Sequence, residues 1–259
     1  FSEIVNDINK KIDKEKIEIV FFDVDYYRFI NLYFVNNIKN VKKVLITGDD
    51  YELHKLNSIT ATSCDLVLSS CPISVEKYKE KGHNAHYMPN ESDGNIFKKV
   101  DLKKDIEVIF FGRINSDRKE FFNFLNEKGI SIKIVGDTNH NFVSDEELAN
   151  LICRSKIVLN LSKSTWGAVR NYGSNTTHKF YYQFKGRIII AGLCGTACVS
   201  EYSPGQDLLF SRDEIATFYN KEECLNQINK LLKEPKILED FSNKLHLKSW
   251  NLYEDKKNF

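Results

Sequence analysis

The sequence predicts an α/β protein built from two doubly wound domains. Three observations carry that expectation. Short continuous runs of apolar, β-branched residues recur along the chain. Amphipathic stretches with helix-cap punctuation separate them. The alternation is interrupted once, by a Pro-, Gly- and Lys/Asp-rich segment over Pro89–Asp105.

The runs come in order. Ile17–Phe22 (IEIVFF), Val44–Thr47 (VLIT) and Leu66–Leu68 (LVL) precede the interruption. Ile106–Phe111 (IEVIFF), Ile132–Val135 (IKIV), Ile157–Leu161 (IVLNL) and a short strand over Ala197–Ser200 follow it. Apolar runs without alternation point to parallel strands covered on both faces. Between them, Ser74–Gly82 reads as a short helix, and Ser116 opens another that Gly129 stops. Ser144 with Glu147 and Asn220 with Glu223 form capping pairs ahead of apolar helical periodicity. Strand–helix alternation is the pattern of doubly wound units.

Taking Pro89–Asp105 as the linker gives a first domain over 1–98 and a second over 99–235. The remaining stretch, 236–259, reads as terminal helix. The first domain is short for a complete unit, and the chain begins at Phe1, so further sequence upstream is expected.

Composition narrows the function. The chain has 259 residues, 42% hydrophobic and 28% charged, with a net charge of +1. That balance gives no global attraction to nucleic acid or anionic membrane. No apolar run approaches the ~18–20 residues of a membrane span, which leaves only peripheral membrane contact open. The six cysteines show no CxxC pair and no zinc spacing, so reduced, buried thiols in a cytoplasmic protein are expected.

Two segments carry candidate chemistry. In FFGRINSDRK (Phe110–Lys119) a strand ends at Gly112 and a basic loop enters a helix. Arg113, Arg118 and Lys119 would sit at the carboxyl end of a strand, beside helix amides that favour anions. Diphosphate neutralisation needs such groups, although a solvated basic turn has the same composition. The second segment is Thr177–Phe210. Thr176 or Thr177 can cap a helix holding Lys185 and Arg187, with His178 near its start. Gly192 and Gly195 end that helix, and Glu201 follows the next strand. In the first domain TGDDYELH follows a strand, so Asp49, Asp50 or His54 are candidate general bases. Asp23 and Asp25 are placed similarly, and such aspartates are more often caps or turn residues. Trp166, Arg170 and Tyr172 lie in a polar loop where an aromatic can stack on a ligand.

The run KGRIIIAGLCGTACVSEYSPGQDLLF (Lys185–Phe210) resembles the signature of CgeB-like glycosyltransferases, within the wider group 1 transferases of GT-B fold. SKIVLNLS (Ser155–Ser162), VGD (Val135–Asp137) and FGRINSDRKEFFNFL resemble the preceding parts of that pattern in order. CDLVLSS (Cys64–Ser70) and Tyr78–Phe97 match more loosely, and the resemblance spans most of residues 44–235. It implies two Rossmann-like domains facing a cleft, with a nucleotide-sugar donor on the second domain. A glycan, glycoconjugate or protein acceptor would sit on the first, and no cofactor or obligatory metal would be needed. Arg113 and Lys119, or Arg118, would match the basic pair that holds the donor diphosphate, and Arg187 the signature arginine. The family's ribose-binding Glu falls on Ile190, and Tyr182 stands where related retaining enzymes place an acidic residue. Either the donor is held differently, with Glu201 taking over a hydroxyl contact, or the chain is a silent GT-B domain that binds a nucleotide, glycan or protein. An epimerase or phosphorylase of the same fold is a third reading, without a visible motif.

Overall fold

The computed structural model describes residues 2–24, 30–48, 50–88, 93–136, 142–163 and 181–255. They form two compact units. The first is built on the described residues up to Met88, the second on 93–163 and 182–255. The division therefore falls before the expected boundary at 98. Residues 93–98 belong to the second unit, where Phe97 is buried.

The first unit runs α1 (Ser2–Glu15), β1 (Ile19–Asp23), α2 (Leu32–Asn37), β2 (Lys42–Thr47), α3 (Asp50–Ala61), β3 (Leu66–Ser69), α4 (Pro72–Glu80) and β4 (Ala85–Tyr87). Its sheet is parallel throughout, in the order β1-β2-β3-β4. Val35, Leu45, Val67 and Tyr78 are among the side chains of its core. Although IEIVFF reads as a strand covered on both faces, β1 is an edge strand. Phe22 is buried, whereas Ile19 and Phe21 are 49% and 58% exposed. An apolar run does not distinguish a central strand from an edge strand whose second face is uncovered.

The second unit runs β5 (Ile106–Phe111), α5 (Ser116–Glu127), β6 (Ile132–Val135), α6 (Asp145–Cys153), β7 (Ser155–Asn160), α7 (Arg187–Leu193), β8 (Ala197–Glu201), β9 (Ala216–Phe218), α8 (Lys221–Lys233) and α9 (Pro235–Asp255). Its sheet is also parallel, in the order β6-β5-β7-β8-β9. The chain moves outward from β5 to β6, then returns to the other side of β5 to lay down β7. The strand order thus reverses between β5 and β7. In open α/β sheets, ligand crevices form outside the carboxyl ends of strands at such a switch point.

The caps follow the sequence closely. Asn115, one residue ahead of the expected Ser116, accepts from the Arg118 amide and opens α5. Ser144 caps α6, and Asn220 with Glu223 forms the capping box of α8. Phe110, Phe122, Leu159 and Phe218 join the core between this sheet and its helices. α9 packs on α7, β8 and α8. Gly192 makes the closest approach. A Cβ there would lie 2.0 Å from Ser249 Oγ and 2.7 Å from the Leu245 carbonyl.

Candidate functional site

The helix expected to contain Lys185 and Arg187 starts later than the sequence suggested. α7 opens at Arg187 with Gly186 as its N-cap, so Lys185 lies outside it. Thr176, Thr177 and His178 are outside the described residues, as are Asp25, Asp49, Trp166, Arg170 and Tyr172.

Arg187 and Arg118 meet at the switch point. Arg187 donates from Nε to Asn160 Oδ1 (2.9 Å), from Nη1 to the Phe111 carbonyl (3.1 Å) and from Nη2 to the Leu161 carbonyl (2.9 Å). Arg118 donates to the carbonyls of Arg113 (2.6 Å), Leu161 (3.1 Å) and Lys163 (3.2 Å). The two guanidinium groups share the Leu161 carbonyl. Each also lies against the Phe110 ring, at 5.2 Å for Arg187 and 5.3 Å for Arg118. Parallel strands leave their last carbonyls unpaired, and charged donors satisfy them strongly. Gly112 leaves the space this requires. Its φ is +127°, and a Cβ would stand 2.6 Å from Arg187 Nη1.

Burial makes both guanidinium groups less basic, Arg187 to about 9 and Arg118 to about 10. Both remain charged at neutral pH. Arg118 and Arg187, one from each candidate segment, lie together here, but their N–H groups tie strand ends together. Arg187 is thereby a clamp under the site, not an open anion ligand.

Above the clamp lies a cavity of about 350 Å³, within the ~300–1,000 Å³ typical of small-molecule sites. Arg118, Lys163 and Lys221 bring positive charge to its lining, and Asp117, Glu120 and Glu201 bring carboxylates. Asn115, Phe121, Leu161 and Tyr182 complete it. Glu201 Oε2 accepts from the amides of Ser162 (2.8 Å) and Lys163 (2.9 Å). Burial pushes the Glu201 pKa up, opposed by those amides and by Arg118 and Lys163. Lys163 pairs with Asp117 at 3.0 Å, which raises the lysine pKa.

Arg113 and Lys119 are exposed at the start of α5 and do not line this cavity. Lys185, partly buried, donates to Gln183 and does not line it either. Sequence reasoning passed over Lys163 and Lys221 as ligand groups. Lys163 follows the SKIVLNLS strand as Arg113 follows IEVIFF, and that position was the available signal. Lys221, at the first turn of α8, had none.

The first-unit candidates have other work. Asp50 is fully buried, and four donors surround its carboxylate. Thr47 and Ser69 hydroxyls reach Oδ2 at 2.5 and 2.7 Å, while Asn57 Nδ2 and the Tyr78 hydroxyl reach Oδ1 at 2.8 and 3.2 Å. Each oxygen already holds two hydrogen bonds, so Asp50 knots β2, β3, α3 and α4 together and leaves no room for an acceptor hydroxyl. His54 packs on Tyr78, with ring centroids 4.6 Å apart, and both its nitrogens are shut off from solvent. Burial lowers its pKa against the pull of Asp50. Neither residue is placed as a general base. Among the described residues, no group of three or more His, Cys, Asp or Glu is arranged to hold a metal ion, and all six cysteines are free thiols.

Comparison with solved structures identifies the class of this architecture. Sucrose-phosphate synthase from Thermosynechococcus elongatus superposes with a TM-score of 0.64 at 10% identity, covering 97% of this chain and 73% of its own. TarM gives 0.66 at 13% identity, covering 97% and 57%. Anabaena HepE, solved in complex with UDP, gives 0.63 at 13%, covering 99% and 82%. The fold is GT-B, with two Rossmann-like units; at these identities the likeness shows fold alone. No curated protein matches the sequence. Residues 116–249, just over half of the chain, match the glycosyl transferase-like family, and the chain belongs to it.

Proposed function

We propose that the protein is a glycosyltransferase of the CgeB-like group that moves a hexose-type sugar from a nucleotide-sugar donor to a glycan, glycoconjugate or protein. The carrying observation is the mixed lining of the switch-point cavity. A nucleoside diphosphate sugar needs cations for its phosphates and carboxylates for its sugar hydroxyls, and this cavity offers both. Lys163 and Lys221 take the diphosphate, with Arg118 beneath. Glu201, its Oε2 fixed by two amides, uses Oε1 for the hydroxyls that the family Glu would bind at Ile190. In this reading Lys163 and Lys221 are the cations that answer the diphosphate, and no obligatory metal is called on. The general base is assigned to no described residue. UDP in the HepE structure favours UDP as the first nucleotide to test.

Ile190 supports a second reading, a silent domain that binds the donor without transferring it. Thermal shift against UDP-, GDP-, CMP- and dTDP-sugars tests the first step. A ligand at 100 times its Kd adds about 2.7 kcal/mol. The proposal predicts a shift with at least one of them and subsequent release of free nucleotide when an acceptor mixture is added. A shift without nucleotide release selects the silent reading, and no shift with any of the four removes both.

A further inference from the structure

Beyond Glu201 the carboxyl ends of β8 and β9 form a second site. Tyr202 follows β8 and Tyr219 follows β9 directly, and their rings lie 5.2 Å apart with a 32° tilt. Tyr219 is 64% exposed, yet it is held. Tyr202 backs one side of its ring, and its backbone amide donates to Glu223 Oε2 (2.9 Å) within the α8 capping box. The result is a fixed aromatic surface with one face open. Around it is a cleft of about 410 Å³, bounded by the loop after β8, by β9 and by α8. Asp207, Arg212, Gln227 and Lys230 also line it. Burial and the neighbouring Asp207 raise the Tyr202 pKa, and Gln206 is fixed by Ser200 and Thr217.

An exposed ring braced on one side presents its other face to C–H groups. A carboxylate, a guanidinium and an amide around it supply both acceptors and donors for hydroxyls. A pyranose has one such apolar face and a rim of hydroxyls. A nucleotide base could also stack on a tyrosine, with Arg212 and Lys230 near its phosphates, so loss of UDP binding in Tyr219→Ala is the outcome that would assign the cleft to a nucleotide instead. We propose that the Tyr202–Tyr219 cleft is a saccharide subsite of the second unit, additional to the acceptor site expected on the first, which holds one outer sugar unit of the acceptor glycan. It rests on the transferase reading for the word acceptor. Glu201 and Tyr202 are consecutive, as are Phe218 and Tyr219, and Phe218 pairs with Glu201 in the sheet register. The subsite therefore opens a strand end away from the donor cavity and grips the glycan outside the reacting sugar.

The test uses the full chain on a printed array of hexose, hexosamine and uronic acid oligosaccharides. Four proteins are compared: wild type, Tyr219→Ala, Asp207→Asn and Lys163→Met. Tyr219 is largely solvated, so its truncation leaves the fold intact, and Asp207→Asn serves as a second variant. Wild type is expected to retain at least one oligosaccharide, Tyr219→Ala to weaken it tenfold or more, and Lys163→Met to bind as wild type. Absence of any retained oligosaccharide, or equal binding by Tyr219→Ala and Asp207→Asn, overturns the subsite. UDP titration of the same samples separates the two claims. Saccharide binding without UDP binding refutes the donor site alone, and UDP binding without saccharide binding refutes the subsite alone.

Discussion

Replacing Arg187 by Leu distinguishes a clamp from a ligand. The guanidinium makes three hydrogen bonds, to Asn160, Phe111 and Leu161. Bonds from a charged donor are worth about 1.5–3 kcal/mol each. The sum overstates the loss, because Leu161 keeps Arg118 as a donor and the variant no longer desolvates a charge. The Phe111 carbonyl and Asn160 Oδ1 each lose this donor, and an orphaned buried acceptor costs about 1–3 kcal/mol, so about 3–5 kcal/mol is expected for the two together. For a protein of this size, each kcal/mol moves Tm by about 2–4 °C, so a fall of roughly 6–20 °C is expected. Differential scanning calorimetry reads it directly. Arg187→Lys should recover less than half, since an ammonium cannot reach three carbonyl-type acceptors with fork geometry. The reasoning is refuted if Arg187→Leu melts within about 2 °C of wild type while nucleotide binding disappears. That outcome would make Arg187 a donor ligand.

Three further outcomes follow from the same geometry. Glu201 has a pKa raised above 4.5 by burial, so between its unfolded and folded values the native state holds more protons. Wild type should therefore gain urea stability relative to Glu201→Gln as pH is lowered from neutral towards 4.5; a constant difference over that range would contradict the burial argument. Asp50→Asn turns an acceptor that holds two donors into a donor, and should lower stability by about 2–4 kcal/mol in urea unfolding. A variant of full stability with lost activity would restore Asp50 as a base candidate. Gly192→Ala places a methyl 2.0 Å from Ser249 Oγ, which should cost about 1–3 kcal/mol through the α7–α9 contact. Pairing it with Ser249→Gly should relieve part of that loss, as measured by thermal melting.

Much of the second unit was legible because its signals are local. The apolar runs became β5, β6, β7 and β8, and the Asn220–Glu223 pair became the α8 capping box. β4 and β9, three residues each, are too short to leave a periodic signal and form by pairing with neighbouring strands. The site was legible as a place and less so as a set of contacts. Basic residues after a strand end announce an anion site, but sequence does not say where an arginine spends its N–H groups. Arg118 and Arg187 spend theirs on strand-end carbonyls. Lys163 and Lys221 reach the same cavity from β7 and α8, 58 positions apart in the chain. Asp50 misled for a related reason. An acidic residue after a strand looks the same in sequence whether it faces a ligand or is surrounded by Thr47, Asn57, Ser69 and Tyr78.

Titration calorimetry of UDP into wild type and into the double variant Lys163→Met/Lys221→Met probes the switch-point cavity most directly. Loss of both ammonium groups should weaken binding at least tenfold, about 1.4 kcal/mol, with the melting temperature little changed. Equal affinity in the two proteins would place the nucleotide elsewhere and remove the cavity as the donor site.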